Sequence, residues 1–340
     1  ATSLSALNGA AVGAITTSVI ASLSSDQISN LSTSQISALT SLQIQALTTA
    51  QVNAMHADQI ASISASGVSA LTTTQITGLT AAIDLLAGLS TAQIPALSAA
   101  NVAILTANQL NALSTTQINS LSATQAKALS GTQITALTTE NLVALSSSAI
   151  ANLSTSALST ISTTQLQYLT TAQMQGLTTT AVRALSTDQI VALTTAQASS
   201  LTTAQISSFT TQQVNKLTTT NTTALTTSQI KALGSAQIAA MTTDQINNLT
   251  SAQVQSLSTA GISSITTANI ALLTTTTISN LSTAQIQALS SSQFANLTTG
   301  DIAALTSTQI IGLNSAIVSS FTTKQLLVLE STKLNLLDVG

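Results

Sequence analysis

Few residues of this 340-residue chain are of the types that carry catalysis or bind metals. His56 is the only histidine, and there is no cysteine. A nucleophilic triad needs Ser, His and an acid held together, and a metal site needs several converging ligands. His56 stands between Met55 and Asp58 with no supporting motif. We therefore expect no catalytic, metal-binding or cofactor-binding residue, and no enzyme activity.

Composition excludes several other partners. The net charge is −3, and the six Lys and Arg residues are scattered rather than clustered. Nucleic-acid binding needs clustered basic residues to neutralise phosphates, so we expect none. No apolar run approaches the roughly 18 residues of a membrane span, so the chain is predicted not to be transmembrane. The 12 Gly recur at no fixed position, which excludes a phosphate-binding loop and the calcium-binding nonapeptide repeat.

The abundant Ser, Thr and Gln belong to one repeated octapeptide, Leu-Ser/Thr-Thr-x-Gln-Ile-x-Ala. Residues 281–288 are a near-perfect copy. With Leu as position 1, a first block covers residues 7–78, one irregular ten-residue unit covers 79–88, and a second block covers 89–336, followed by an end at 337–340. A short fixed period indicates a repeat array. The sequence therefore predicts one elongated solenoid over residues 1–340.

Each octad has the signals of a helix start. Ser or Thr at position 2 and Gln at position 5 form a capping box, and the apolar residues at positions 1 and 6 form a hydrophobic staple. Acids at position 4 would lie in the first helical turn, where the helix dipole favours them. They are Asp26, Asp58, Glu140, Asp188 and Asp244. The predicted fold is all-α, a solenoid of very short capped helices with one helix per octad.

A continuous helix does not fit the period, because eight residues advance about 800° and the apolar stripe would drift by about 80° per unit. A β-solenoid is the alternative, since Thr and Ile favour strands. Its corners normally need Gly, Asn, Asp or Pro, which recur at no fixed position here. Pro95 at position 7 should cut its helix short. Thr222, in place of an apolar residue at position 6, should mark a weak unit.

The repeated word Leu-Thr-Thr-x-Gln-Ile-x-Ala-Leu resembles the low-complexity repeats of large bacterial cell-surface and extracellular proteins, including adhesin-like and surface-layer-like chains. The resemblance implies a structural role outside the cell or at its surface, and it carries no functional residue. The chain begins at Ala1 rather than Met. That start fits removal of a signal peptide and equally fits a fragment.

We expect a structural protein that self-assembles into a filament, sheath or surface lattice, with copies of itself as partners. Low charge offers little repulsion against association, and both ends of the chain are apolar. The candidate assembly contacts are Leu4, Leu7, Val12, Leu329, Leu334, Leu336 and Leu337. The alternative is a monomeric adhesin stalk or a surface-, carbohydrate- or ice-binding rod. Ser and Thr offer sites for O-glycans, and Asn30, Asn152, Asn248, Asn280 and Asn296 have the N-glycosylation form.

Overall fold

The structure is a computed structural model that describes residues 4, 6–78 and 86–337. These residues form short helices and contain no strand. The chain divides into two compact units, Ala1–Leu177 and Thr178–Gly340. The predicted all-α repeat solenoid is confirmed, and the β-solenoid is not observed in the described residues. The prediction of a single array over the whole chain stays a prediction.

The α-helices of the first unit are Gly9–Gly13, Thr17–Ser22, Ser25–Ser29, Thr33–Ser37, Ser41–Ala46, Thr49–Asn53, Ala57–Ser62, Ala65–Ala70, Thr73–Thr77, Ala99–Ala103, Ala107–Ala112, Thr115–Asn119, Ala123–Ala128, Gly131–Ala136, Thr139–Ala144, Ser147–Asn152, Thr155–Thr160, Thr163–Tyr168 and Thr171–Gly176. A 3₁₀ helix, Ile94–Ala96, lies between Thr73–Thr77 and Ala99–Ala103.

The α-helices of the second unit are Thr179–Arg183, Thr187–Ala192, Thr195–Ser200, Thr203–Ser207, Thr211–Lys216, Thr219–Ala224, Thr227–Lys231, Ser235–Ala240, Thr243–Asn247, Ser251–Ser256, Thr259–Ser264, Thr267–Ile270, Thr275–Asn280, Thr283–Gln287, Ser291–Ala295, Thr299–Ala304, Ser307–Ile311, Ser315–Val318, Thr323–Leu326 and Ser331–Leu334. A 3₁₀ helix, Asn335–Leu337, ends this unit.

One octad illustrates why each helix begins and ends where it does. The Thr250 hydroxyl accepts from the Gln253 amide at 3.3 Å, and Gln253 Oε1 accepts from the Thr250 amide at 2.8 Å, which completes the predicted capping box. The helix ends at Ser256, and the next residue, Leu257, is extended with φ of −60° and ψ of 137°. The corner is therefore made by ordinary extended backbone. No described residue has a positive φ, which explains why the corners need no recurring Gly.

Three octads make one turn of the solenoid within each unit. Ser41–Ala46 packs against Ala65–Ala70 in the first unit, and Ser235–Ala240 packs against Thr259–Ser264 in the second. Positions 1 and 6, the two halves of the staple, form the core, and Leu137 and Ile134 are typical buried members. The Ala at position 8 is only half-buried in most octads. It lies between successive turns rather than in the core.

The exceptional octads remain helical or nearly so. Pro95 shortens its helix as predicted, because it occupies the first turn of the 3₁₀ helix Ile94–Ala96. Thr222 is buried in the core, and its hydroxyl donates to the Thr218 carbonyl at 2.9 Å. That bond satisfies the polar group locally. The lower local stability expected for this octad stays a prediction. In the irregular unit, residues 79–85 lie outside the described residues.

Candidate functional site: the contact between successive turns

Where position 5 is Gln, its side chain can join the helix both to its own cap and to the preceding turn, as Gln245 shows. Gln245 Oε1 accepts from the Thr242 amide at 2.7 Å. Gln245 Nε2 donates to the carbonyls of Val214 at 2.8 Å and Leu217 at 2.7 Å. The side chain is 1% exposed, so these bonds form away from water. We call the position-5 side chain and the carbonyls that face it the position-5 slot.

The same register recurs in both units. The acceptors lie 31, 30 and 28 residues before the glutamine, as for Gln51 in the first unit and Gln309 in the second. For Gln93, which follows the irregular unit, these separations become 33, 32 and 30. They return to 31, 30 and 28 at Gln117. The two extra residues of the irregular unit therefore change the separations at Gln93 but not those at Gln117.

The need for a donor explains why position 5 is Gln and not Glu. Glu would complete a capping box equally well, yet the two glutamates of the chain stand elsewhere, Glu140 at position 4 and Glu330 at position 2. A carboxylate accepts hydrogen bonds but does not donate them. It would leave the carbonyls of the preceding turn unpaired. From the sequence we assigned Gln only to the capping box. The absence of Glu at position 5 could have indicated the second role, the hydrogen bonds that Nε2 donates to the preceding turn.

Comparison with known proteins supports the repeat architecture. Five segments are similar to the ALTTAQ repeat, namely residues 84–115, 108–139, 169–203, 223–251 and 262–299. Residues 192–197 read Ala-Leu-Thr-Thr-Ala-Gln. This chain is a repeat protein. The final Gln of that word is the position-5 residue of the ALTTAQ-like octad. No curated protein matches the chain.

A second set of contacts uses Asn at position 7 of the ALTTAQ-like octad. Asn111 Nδ2 donates to the Ala136 carbonyl at 2.8 Å, and Asn111 Oδ1 accepts from the Thr138 amide at 3.0 Å. The Thr138 amide begins an octad whose position 5 is Asn141, and that side chain does not bond the cap in the structure. An asparagine 27 residues earlier therefore supplies the acceptor that the usual Gln would have supplied.

This compensation recurs elsewhere in the chain. Asn247 Oδ1 accepts from the Thr274 amide at 2.9 Å, and position 5 of that octad is Thr277. Asn119 also precedes the cap Ser146 by 27 residues, but its side chain only donates from Nδ2 to the Ala144 carbonyl, at 3.0 Å. Asn215 is an exception, because the Gln245 octad retains its own cap bond. Asn at position 7 thus has a defined role at the caps Thr138 and Thr274, where position 5 departs from Gln.

Position 8 is small because it faces the helix start of the preceding turn. A Cβ added to Gly78 would lie 2.5 Å from Thr49 Cγ2, and one added to Gly312 would lie 1.9 Å from Thr283 Cγ2. A small residue at position 8 therefore allows successive turns to approach closely. Tyr168 is accommodated at this position by remaining 55% exposed.

The predicted assembly contacts near the N-terminus are mostly turned inward. Leu4 and Leu7 are half-buried, and both carbonyls accept from Gln35 Nε2, at 3.0 and 2.7 Å. Val12 is fully buried. The exposed apolar residue of this first turn is instead Val19, at position 5, which is 47% exposed. The structure thus brings Leu4 and Leu7 together as acceptors, a role that their apolar side chains did not indicate.

The predicted contacts near the C-terminus are more open. Leu329 is buried, Leu334 is 41% exposed, and Leu336 and Leu337 are half-buried in the 3₁₀ helix Asn335–Leu337. Leu327, which lies beside this set, is 80% exposed. These side chains form the apolar surface of the last turn.

Neither the lone histidine nor the surface grooves assemble catalytic groups in the described residues. The His56 amide donates to Gln59 Oε1 at 2.8 Å, and the imidazole makes no cap hydrogen bond. No three His, Asp or Glu side chains cluster there as a metal site would require. A surface groove of about 800 Å³ lies in the second unit. Lys216 is its one charged lining residue, alongside Thr211, Gln212, Asn215 and Thr243.

The structure also bears on the predictions about membrane spans and N-glycosylation. None of the described helices has both the length and the apolar character that crossing a bilayer requires. Four of the asparagines with the N-glycosylation form donate from Nδ2 to the carbonyl four residues earlier. These are Asn30, Asn152, Asn248 and Asn296. The same amide nitrogen would carry a glycan, so glycosylation would have to replace that helix-end bond.

Proposed function

We propose that this repeat protein is structural, lies outside the cell or on its surface, joins copies of itself head to tail, and catalyses no reaction. The observation that carries the proposal is the self-complementary contact between turns. Within a unit, each turn presents position-5 donors on one side and carbonyl acceptors on the other. A head-to-tail contact of this kind generates an open filament when it does not close into a ring. Filaments could associate further into a sheath or lattice.

The position-5 residues of the first turn resemble those of a turn that is stacked on another turn inside the chain. In the first turn they are Ala11, Val19 and Gln27, so two residues without a side-chain donor precede Gln. Residues 149, 157 and 165 follow the same pattern as Ala, Ala and Gln, and Gln165 Nε2 donates to the Thr135 carbonyl at 3.1 Å. Two position-5 residues without donors therefore do not prevent stacking. A first turn with Val19 exposed is suited to cover the apolar last turn of another copy.

The proposal predicts that charge at either terminal turn blocks assembly. Val19→Asp and Leu334→Asp each place a carboxylate on a surface that would be buried between copies. The expected result is at least a tenfold rise in the concentration at which assemblies form, because burying an unpaired charge is strongly unfavourable. Sedimentation velocity over a concentration series, with electron microscopy of the same samples, measures it. Leu42→Asp is the matched control, since Leu42 is 67% exposed and lies outside both terminal turns.

Either of two outcomes would remove the proposal. One is a natural chain that stays monomeric at every concentration tested. The other is assembly by all three variants at the same concentration as the natural chain, which would show that the terminal turns are not the contact. Circular dichroism of each variant verifies that it remains helical.

The groove beside Lys216 favours a second candidate, a carbohydrate-binding module. Its lining of Thr, Asn and Gln offers the hydrogen-bonding groups that a sugar would use. A glycan array with the natural chain and Gln212→Ala tests this candidate. Binding by the natural chain and loss in the variant would support it, and an array without any bound glycan would exclude it for the sugars tested.

A further inference from the structure

Asp301 is the one acidic residue at position 5, and it is 1% exposed. Its Oδ2 accepts from the Thr298 amide at 2.9 Å and from the Thr298 hydroxyl at 2.7 Å, so this oxygen fills the cap role of the usual Gln Oε1. Asp301 Oδ1 makes no hydrogen bond within the described residues. The carboxylate therefore completes the capping box but has no proton to donate to the preceding turn.

The register of the neighbouring glutamines identifies the carbonyls that face Asp301. Gln293, eight residues earlier, and Gln309, eight residues later, both donate to carbonyls 31, 30 and 28 residues back. For Asp301 these positions are Ile270, Ala271 and Leu273. In the described residues the carbonyls of Ala271 and Leu273 accept no hydrogen bond, and Ile270 accepts only from the Leu273 amide at 3.2 Å.

By this register, a carboxylate oxygen and three carbonyl oxygens face one another in a slot that in other octads contains an NH₂ group. Oxygen atoms alone repel one another in such a place. Carboxylates and backbone carbonyls are the ligands that hard cations such as Ca²⁺ take. A position-5 slot on another face, at the C-terminal end of the second unit, has a positive group of its own, because the partly exposed Lys333 donates from Nζ to the Ala303 carbonyl, 30 residues back, at 2.6 Å. A position-5 slot therefore accepts a positive charge beside its carbonyls.

We infer that the Asp301 carboxylate and the three carbonyls facing it bind one hard, oxygen-coordinated cation. The single carboxylate gives the slot one negative charge, which suits Na⁺ and, with water ligands added, Ca²⁺. The bound cation joins the helix Thr299–Ala304 to the helix Thr267–Ile270 and to the corner after it. It thus replaces the hydrogen bonds that Gln forms in the neighbouring octads.

Hydrogen exchange of the full chain tests this site locally, followed by mass spectrometry of residues 297–305. The buffer holds pH and ionic strength constant with tetramethylammonium chloride, and NaCl or CaCl₂ replaces it stepwise. A cation that binds the folded slot lowers the opening constant about 100-fold at 100 times its Kd. We expect exchange of residues 297–305 to slow accordingly with at least one cation. The arm that responds at the lower concentration identifies the preferred cation.

Two variants make the test specific. Asp301→Gln restores the donor, so residues 297–305 should be protected without added cation and should not respond to it. Asp244→Asn removes an exposed acid at position 4 and should leave the natural cation response unchanged. The inference is overturned if neither cation slows exchange in the natural chain, or if Asp301→Gln responds as the natural chain does. Protection on acidification without any cation response would assign the slot to a proton and overturn it equally.

Discussion

Single residues in this chain act through fixed partners 27 to 31 residues away. Gln at position 5 is chosen because it carries both an acceptor and a donor, and the two are used on different turns. Asn at position 7 replaces the missing cap acceptor for Thr138 and Thr274. Lys333 and Asp301 show what happens when the donor becomes an ammonium or disappears. A buried polar group without a partner costs about 1–3 kcal/mol, so these choices have measurable consequences.

The position-5 donor can be tested by Gln245→Glu, which keeps the cap acceptor and removes the donor. We expect a loss of at least about 3 kcal/mol of local stability in a metal-free buffer, since a charge is also buried against carbonyls. Hydrogen exchange of helix Thr243–Asn247 measures the loss. Thr242→Ala serves as the comparison, because losing only the cap hydroxyl costs about 1 kcal/mol. Equal losses in the two variants would argue against the donor role.

The position-7 compensation can be tested by a double-mutant cycle on Asn111 and Asn141. Asn111→Ala removes the acceptor of the Thr138 amide and should cost about 1–2 kcal/mol. In the Asn141→Gln background the introduced amide caps Thr138 itself, so the same change should cost less. A coupling energy of about 0.5–1.5 kcal/mol is expected from equilibrium unfolding or exchange. Additive effects would show that the two sites are independent.

At the scale of elements, helices of four to six residues are stable only because several local and tertiary devices act together. Isolated helices of this length do not persist in water. The capping box satisfies amides at the start, the staple buries positions 1 and 6, and an extended corner ends each helix without Gly. The small residue at position 8 then allows the next turn to approach. Each device is local except the last, which depends on the helix start 29 residues earlier, as Gly312 and Thr283 show.

A matched pair of glycines tests the close approach at position 8. Gly312→Ala would place Cβ 1.9 Å from Thr283 Cγ2, so that side chain must rotate or the turns must separate. The expected cost is about 1–3 kcal/mol. Gly300→Ala meets nothing closer than 3.6 Å and lies in helix Thr299–Ala304, so it should be neutral or stabilising by about 0.5 kcal/mol. Exchange protection of the two helices compares them, and equal effects would contradict the steric explanation.

At the scale of the molecule, the unit of construction is a turn of three octads, because within each compact unit most helices contact the helix three octads away. Deletion of residues 185–208 removes one such turn, so each remaining position-5 residue keeps its usual distance along the chain from the carbonyls it faces. Deletion of residues 185–204 removes four fewer residues and changes that distance for the octads on either side of the join. We expect the first variant to keep its helix content per residue and its unfolding temperature, measured by circular dichroism. The second should lose protection around the join, and equal behaviour of the two would contradict a turn of three octads.

The sequence by itself determined what is local. Position 2 as helix cap, position 5 as its reciprocal partner, the buried staple and the shortened helix at Pro95 all follow from groups within a few residues of one another, and all were confirmed. The single ten-residue unit could also be recognised in the sequence, because it shifts the eight-residue repeat by two residues. None of these conclusions needed to know which octads become neighbours in space.

Only the tertiary structure decided which octads become neighbours in space. Three octads per turn brings Gln245 to Val214 and Leu217, and it brings Asn111 to the cap of Thr138. The same packing brings the carbonyls of Leu4 and Leu7 to Gln35 Nε2. Every octad has nearly the same sequence, so pattern alone gives no reason to pair one with the third rather than the second or fourth. The choice depends on how the corners and the core side chains pack together, which is a property of the assembled turns.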